Sequence, residues 1–256
     1  VSECHVVAAE HDEVRFLRQG QPHRDGDVVG GDGATVMNVG EEADPKAVLA
    51  TDGRYTTAAA TAASDLEILH ERNIASALAT RAAADGVLRL GVEEHDVTLA
   101  VAETIRKAAE PAELVYLGQA VEALRVVKSE EELTLIREAC AISSRALDEL
   151  WTAGGLLRRT EKQVARDLEN RMYEHGADGV AFETIVASGP HSAVPHHRPT
   201  ERIIGTGELL KVDCGALYRG YHADCTRTVV IGAEPSEWQR ELYDLVAEAQ
   251  RAGREA

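Results

Sequence analysis

The chain has 256 residues, 27 Lys+Arg against 44 Asp+Glu for a formal net charge of −17, and 44% hydrophobic but only 4% aromatic residues. That is apolar material enough for a real core and length for one large or two modest domains. The acidic excess, with no Lys or Arg run to override it, argues against nucleic acid and anionic membrane surfaces as partners. No stretch approaches ~18 uninterrupted apolar residues, and Val1 to His11 lack the basic-then-apolar order of a signal peptide. A cytoplasmic protein is therefore expected, with Cys4, Cys140, Cys214 and Cys225 reduced rather than disulfide-paired.

Residues 1–126 read as a small α/β N-terminal domain. Gln19 to Gly33 lacks periodicity and reads as a loop; its GDVVGGDG, from Gly26, has neither phosphate-loop spacing nor a following helix. Ala47–Thr51 reads as a strand, Asp52-Gly53 as a turn, and an alanine-rich helix is expected from about Thr56. Further strands are expected near Val87–Gly91 and Leu114–Leu117.

Residues 127–256 read as a second domain. Ser129 and Glu132 form a capping box for a helix whose stripe is Leu133, Ile136, Cys140, Leu147 and Leu150, ended by Gly154-Gly155. Thr160 and Gln163 open another helix, with Val164, Leu168 and Met172 inward and Gly176 as its cap. Phe182–Ser188 reads as a strand, and Gly207–Ala216 and Tyr221–Ile231 as the arms of a hairpin. Ser236 and Gln239 cap a last helix with Trp238, Leu242, Leu245, Val246 and Ala249 at helical spacing and nothing after it to cover them. A C-terminally truncated chain, inactive by itself, is expected from that ending.

The chemistry concentrates in Lys211–Val230, KVDCGALYRGYHADCTRTVV. A turn at Tyr218-Arg219 or over Leu217–Gly220 predicts that Asp213 opposes Asp224 across the hairpin, with Lys211, Gly215, His222 and Thr226 on the same polar face. Two opposed carboxylates repel unless a cation or a shared proton lies between them. The alternative, aspartates beside a turn satisfied by Lys211 or Arg227, is the weaker one, because Asp is depleted inside strands. Upstream, SGPHSAVPHHRPTER places His191, His196 and His197 in a proline-punctuated loop. Carboxylates with one or two imidazoles suit Mn²⁺, Zn²⁺ or Co²⁺, and a pair of such ions with a bridging hydroxide is a hydrolase centre.

DCGALYRGYHADCTR, from Asp213 to Arg227, resembles the metal-binding hairpin of the creatinase/aminopeptidase P/prolidase family of metallopeptidases. SGPHSAVPHHRPT is similar to that family's histidine loop, RVVKSEEEL to the entry of its catalytic domain, and ATDGRYTTAA to part of its N-terminal domain; the likeness is greatest to bacterial cytoplasmic Xaa-Pro dipeptidases. The resemblance implies an α+β fold: a truncated pita-bread catalytic domain preceded by a small α/β domain. It implies a dinuclear centre of two divalent ions, Mn²⁺ first with Zn²⁺ or Co²⁺ as alternatives, that hydrolyses Xaa-Pro bonds. Carried over residue by residue, Asp213 and Asp224 match two metal ligands, His196 the histidine that contacts substrate, and Thr226 a hydroxyl beside the second aspartate. His191 stands where relatives usually have Asn. The family's remaining ligands, a His and two Glu, have no counterpart here and are expected beyond Ala256. Expected partners are small peptides with Pro second, and a second copy of the full-length chain. Competing expectations are an aminopeptidase P or creatinase-type relative, a non-catalytic binding protein of the same fold or inactive fragment, and, more weakly, a cysteine hydrolase on Cys225 and His222.

Overall fold

The computed structural model describes the strands β1 (His5–Glu10), β2 (Glu13–Gln19) and β3 (Ala34–Met37) and every residue from Val48 to Ala256. The Gly-rich run from Gly26, and Ala47, lie outside the described residues. The chain divides into two compact units, Val1–Val127 and Lys128–Ala256.

In the first unit, β4 (Val48–Thr51) is buried throughout and pairs in parallel with β5 (Glu67–His70). The link between them is helix α1 (Thr56–Ala62), which starts where the sequence predicted it. Helix α2 (Ile74–Ala84) leads to β6 (Arg89–Val92), α3 (Leu99–Ala108) to β7 (Glu113–Tyr116), and α4 (Ala120–Val126) closes the unit. The five-stranded sheet runs β3-β2-β1-β6-β7, antiparallel except for β6 with β7, which a helix connects. Leu90, Val92 and Ile105 form the centre of its core with Ala79 and Ala109.

The second unit opens with α5 (Glu130–Ala153), where Ser129 and Glu132 close the capping box reciprocally, and continues with α6 (Glu161–Glu174), where Thr160 and Gln163 do the same. Each box satisfies two of the orphan N–H groups that a helix start exposes. The buried stripe of α5 is Ala139, Ile142, Ser143, Ala146, Leu147 and Leu150. Cys140, expected inside, is exposed: Ala139, Ile142, Ser143 and Ala146 hold the i, i+3, i+4, i+7 spacing with Leu150 one turn further on, and Cys140 falls at the outer edge of that stripe, on the Leu147 side. Gly154 and Gly155 end the helix at φ of +64° and +69°.

Strand β8 (Gly179–Val180), β9 (Ile185–Ser188), β10 (Leu209–Cys214), β11 (Ala216–Tyr218), β12 (Tyr221–His222) and β13 (Cys225–Val230) follow. They make two three-stranded sheets, β13-β10-β9 and β12-β11-β8, so each hairpin arm is split between sheets. The core packs Ile142, Leu150, Val164, Leu168 and Met172 of the helices against Val186, Leu210, Val212 and Cys214 of the strands. Two polar ties join helix to hairpin: Ser143 Oγ accepts from the Ala216 N–H at 2.9 Å, and the Tyr221 hydroxyl donates to Glu132 Oε1 at 3.0 Å. The last helix, α7 (Glu237–Glu255), is capped by Gln239, whose Oε1 accepts from the N–H and hydroxyl of Ser236. Trp238, Leu242, Tyr243, Leu245 and Val246 are exposed along it. Among the described residues no helix is long and apolar enough to cross a membrane.

Candidate active site

The hairpin reverses at Arg219-Gly220, both with positive φ, 45° and 80°. Tyr218 pairs with Tyr221, Leu217 with His222, Cys214 with Cys225, and Asp213 with Thr226. The sequence reading placed Asp224 opposite Asp213; the structure puts Thr226 there, two residues further on. The reason is the turn. A two-residue hairpin loop that follows the strand twist needs φ > 0 at both central positions, which Gly220 adopts freely and which a Tyr218-Arg219 turn would demand of a bulky ring. The displacement is by two residues, so no side chain changes face. Leu210, Val212 and Cys214 are buried while Lys211 and Asp213 are on the other, half-buried face.

The ladder breaks between Cys214 and Ala216 on one arm and between His222 and Cys225 on the other. The pairing on either side of the break sets Asp224 across from Gly215. A Cβ on Gly215 would lie 1.7 Å from the Ala223 carbonyl oxygen, so only glycine lets the arms approach here. The two carboxylates still lie close enough to act on each other: burial first, then the charge and proximity of the Asp213 carboxylate, raise the Asp224 pKa. Thr226 Oγ1 donates to Asp213 Oδ1 at 2.8 Å.

The basic residues that the alternative reading set against this pair, Lys211 and Arg227, are engaged elsewhere. Arg227 Nη1 donates to the Thr226 carbonyl at 2.8 Å, and Lys211 Nζ to the carbonyls of Val194 at 2.7 Å and Pro195 at 3.2 Å. Among the described residues neither aspartate is in an ion pair. Two converging carboxylates with no basic partner form a hard oxygen donor set, which fits a divalent cation.

The neighbouring thiols are not part of this chemistry. Cys214 lies in the core, where burial above all pushes its thiol up to about 12, and a thiol that stays protonated is inert. Cys225 packs against the same core, and His222 Nδ1 is 3.0 Å from the Ala181 carbonyl, so the Cys225–His222 pair has no support.

The histidine loop starts in a short 3-10 helix, Gly189–Ala193, and runs to Thr200. His196 is exposed and makes no hydrogen bond among the described residues. His191 and His197 instead meet Glu161, whose side chain has 0% exposure: His191 Nδ1 is 2.9 Å from Oε1 and His197 Nε2 is 2.9 Å from Oε2. Burial, the largest influence, disfavours the Glu161 charge, but bonds from the Ser188 N–H, His197, Thr200 and His191 override it and hold the carboxyl at about 2. Sequence reasoning missed Glu161. An acidic residue in the first helical turn is ordinary, and only the fold shows that this one faces inward. In the first unit, Glu93, His95 and Glu122 also bring ligand atoms within 4.8 Å of one another, and His95 Nε2 lies 2.8 Å from Glu122 Oε1.

Residues 29–127 match the creatinase/prolidase N-terminal domain, and residues 134–256 match metallopeptidase family M24. An uncharacterized peptidase of Bacillus subtilis, YqhT, is 36% identical over 211 residues, 81% of this chain and 59% of its own. The Xaa-Pro dipeptidase of Pyrococcus horikoshii is 37% identical over 173 residues, 66% of this chain and 47% of its own. Among solved structures, the Xaa-Pro dipeptidase from Bacillus anthracis superposes with a TM-score of 0.77 at 32% identity, over 87% of this chain and 61% of that one. The prolidase from Pyrococcus furiosus does so with a TM-score of 0.71 at 29% identity, over 86% and 62%. The chain thus spans about three-fifths of YqhT and of these two structures. It carries a creatinase/prolidase N-terminal domain in its first unit and, in the α+β pita-bread fold of its second, a domain of metallopeptidase family M24.

Proposed function

We propose that the full-length protein is a metal-dependent peptidase that hydrolyses Xaa-Pro bonds, as a dipeptidase or aminopeptidase, with residues 127–256 as the first part of its catalytic domain. Asp213 and Asp224 hold divalent metal and His196 contacts the substrate. The observation that carries this reading is the converging, ion-pair-free aspartate couple on the hairpin. The ions, two in the family's pattern and Mn²⁺ before Zn²⁺ or Co²⁺, polarise the scissile carbonyl and acidify a water when bound.

The residues of this chain do the rest. Thr226 orients the Asp213 carboxylate through its hydroxyl. The bond before proline has no N–H to read, so selectivity rests on shape and on donors for the developing oxyanion. In this reading His196, exposed between Pro195 and Pro199, supplies such a donor from a loop that its prolines stiffen. The partners that follow are small peptides with Pro at the second position and, for the full-length chain, a second copy of itself. The same reading puts the protein at work in the cytoplasm.

The test is kinetic. Full-length protein should cleave Leu-Pro and Ala-Pro and leave Leu-Ala intact, and His196→Ala should lower kcat about 10²–10³-fold with normal metal content. Equal turnover of Leu-Ala contradicts the substrate class, and loss of metal in His196→Ala contradicts the role of His196.

A further inference from the structure

The loop that carries His196 is moored on two sides. On one, Glu161 Oε1 accepts from the Ser188 N–H (2.8 Å), Ser188 Oγ (3.0 Å) and His191 Nδ1 (2.9 Å). Its Oε2 accepts from His197 Nε2 (2.9 Å), the Thr200 N–H (3.0 Å) and Thr200 Oγ1 (2.8 Å). An ionised carboxylate only accepts, so both imidazoles turn an N–H toward it and their tautomers are set. Glu161 thus grips both ends of the loop.

On the other side is Lys211. Its ammonium donates to the Val194 and Pro195 carbonyls, the two residues immediately before His196. Lys211 lies two residues before Asp213 on β10 and on the same face, since Leu210, Val212 and Cys214 between and around them are buried. One side chain therefore ties the Pro195-His196 turn to the strand that carries Asp213.

We propose that Lys211, with Glu161 behind the loop, is a positioning residue for His196: it sets where the imidazole stands relative to Asp213 and Asp224 and acts on the reaction only through that imidazole. The inference rests on the substrate-contacting role given to His196 above. A misplacement of about 1 Å in a catalytic group costs on the order of 10²-fold in rate, whereas a lysine that merely steadied a surface loop would change stability and leave turnover alone.

The experiment is a double-mutant cycle in the full-length, metal-loaded protein, read as kcat and KM on Leu-Pro with metal content and melting temperature alongside. Lys211→Met should lower kcat about tenfold with KM and metal content nearly unchanged, and in a His196→Ala background it should change kcat less than about twofold. Lys211→Arg, which keeps donors to the two carbonyls, should restore most of the rate, and it reports even where the Met variant folds poorly. Equal losses from Lys211→Met in both backgrounds overturn the proposal, as do loss of metal in that variant or an Arg variant as slow as the Met one. A wild type that cleaves Leu-Pro with metal but is indifferent to His196→Ala overturns the proposal and leaves the peptidase standing. A metal-loaded wild type that cleaves no Xaa-Pro peptide overturns both.

Discussion

At the residue scale the two notable carboxyls are tuned in opposite directions. Glu161 is held at about 2 against the ordinary 4.5, so it contributes stability that is present above about pH 4.5 and is lost as pH falls toward 2. That contribution is on the order of 3 kcal/mol. The melting-temperature gap between wild type and Glu161→Gln should therefore be wide at pH 7 and close as the pH is lowered through that window; a gap independent of pH would contradict it. Asp224 goes the other way. Its raised pKa means that the metal-free protein is stabilised by this carboxyl's proton at low pH and loses that stability as pH rises through the raised value. Asp224→Asn should raise the melting temperature of metal-free protein at neutral pH, by a solvent-screened increment of about 0.2–1 kcal/mol, while abolishing the added stability that Mn²⁺ gives the wild type. A melting temperature lowered by Asp224→Asn would show that the repulsion is not there.

At the element scale the hairpin depends on a position without a side chain. Gly215→Ala puts a carbon against the Ala223 carbonyl, a backbone atom that can yield only if the strands part. The cost should exceed about 2 kcal/mol, the range of overpacked cores, with metal binding lost in step; calorimetry and metal analysis of that variant check it. A variant as stable as wild type would contradict the close approach. This is also where sequence reading reached its limit. Capping boxes at Ser129, Thr160 and Ser236 were legible because their signals lie within four residues of one another. The face of the hairpin on which Asp213 lies was legible from alternation alone. Its register was not, because one turn residue decides it and the turn was placed one position early. The phase of α5 was misjudged at Cys140 for a related reason: a small residue such as Ala139 or Ser143 packs a helix interface as well as a large one, and carries little signal in a hydrophobicity pattern. Glu161 was invisible because what distinguishes it is six hydrogen bonds from four residues, spread from Ser188 to Thr200.

At the scale of the whole molecule, the described core of the second unit ends before α7. Trp238, Leu242, Tyr243, Leu245 and Val246 are each at least 45% exposed along that helix, an apolar stripe of the kind that drives association. The 256-residue chain by itself should sediment as oligomers, and changing Leu242, Leu245 and Val246 together to Gln should return it toward monomer; a monodisperse monomeric wild-type chain would contradict this. In the proposed reading the pair of aspartates is likewise only part of a ligand set, and the proposed function belongs to the full-length protein; this chain covers about three-fifths of the solved relatives it matches. The measurement that bears most directly on that function is the metal content of full-length protein set beside its Leu-Pro hydrolysis, for wild type, Asp213→Ala and chelator-stripped wild type. The account predicts bound divalent metal and turnover in the first, neither in the second, and in the third an activity that is absent until Mn²⁺ is restored. Undiminished hydrolysis by the stripped protein, or a full metal complement in Asp213→Ala, would contradict it.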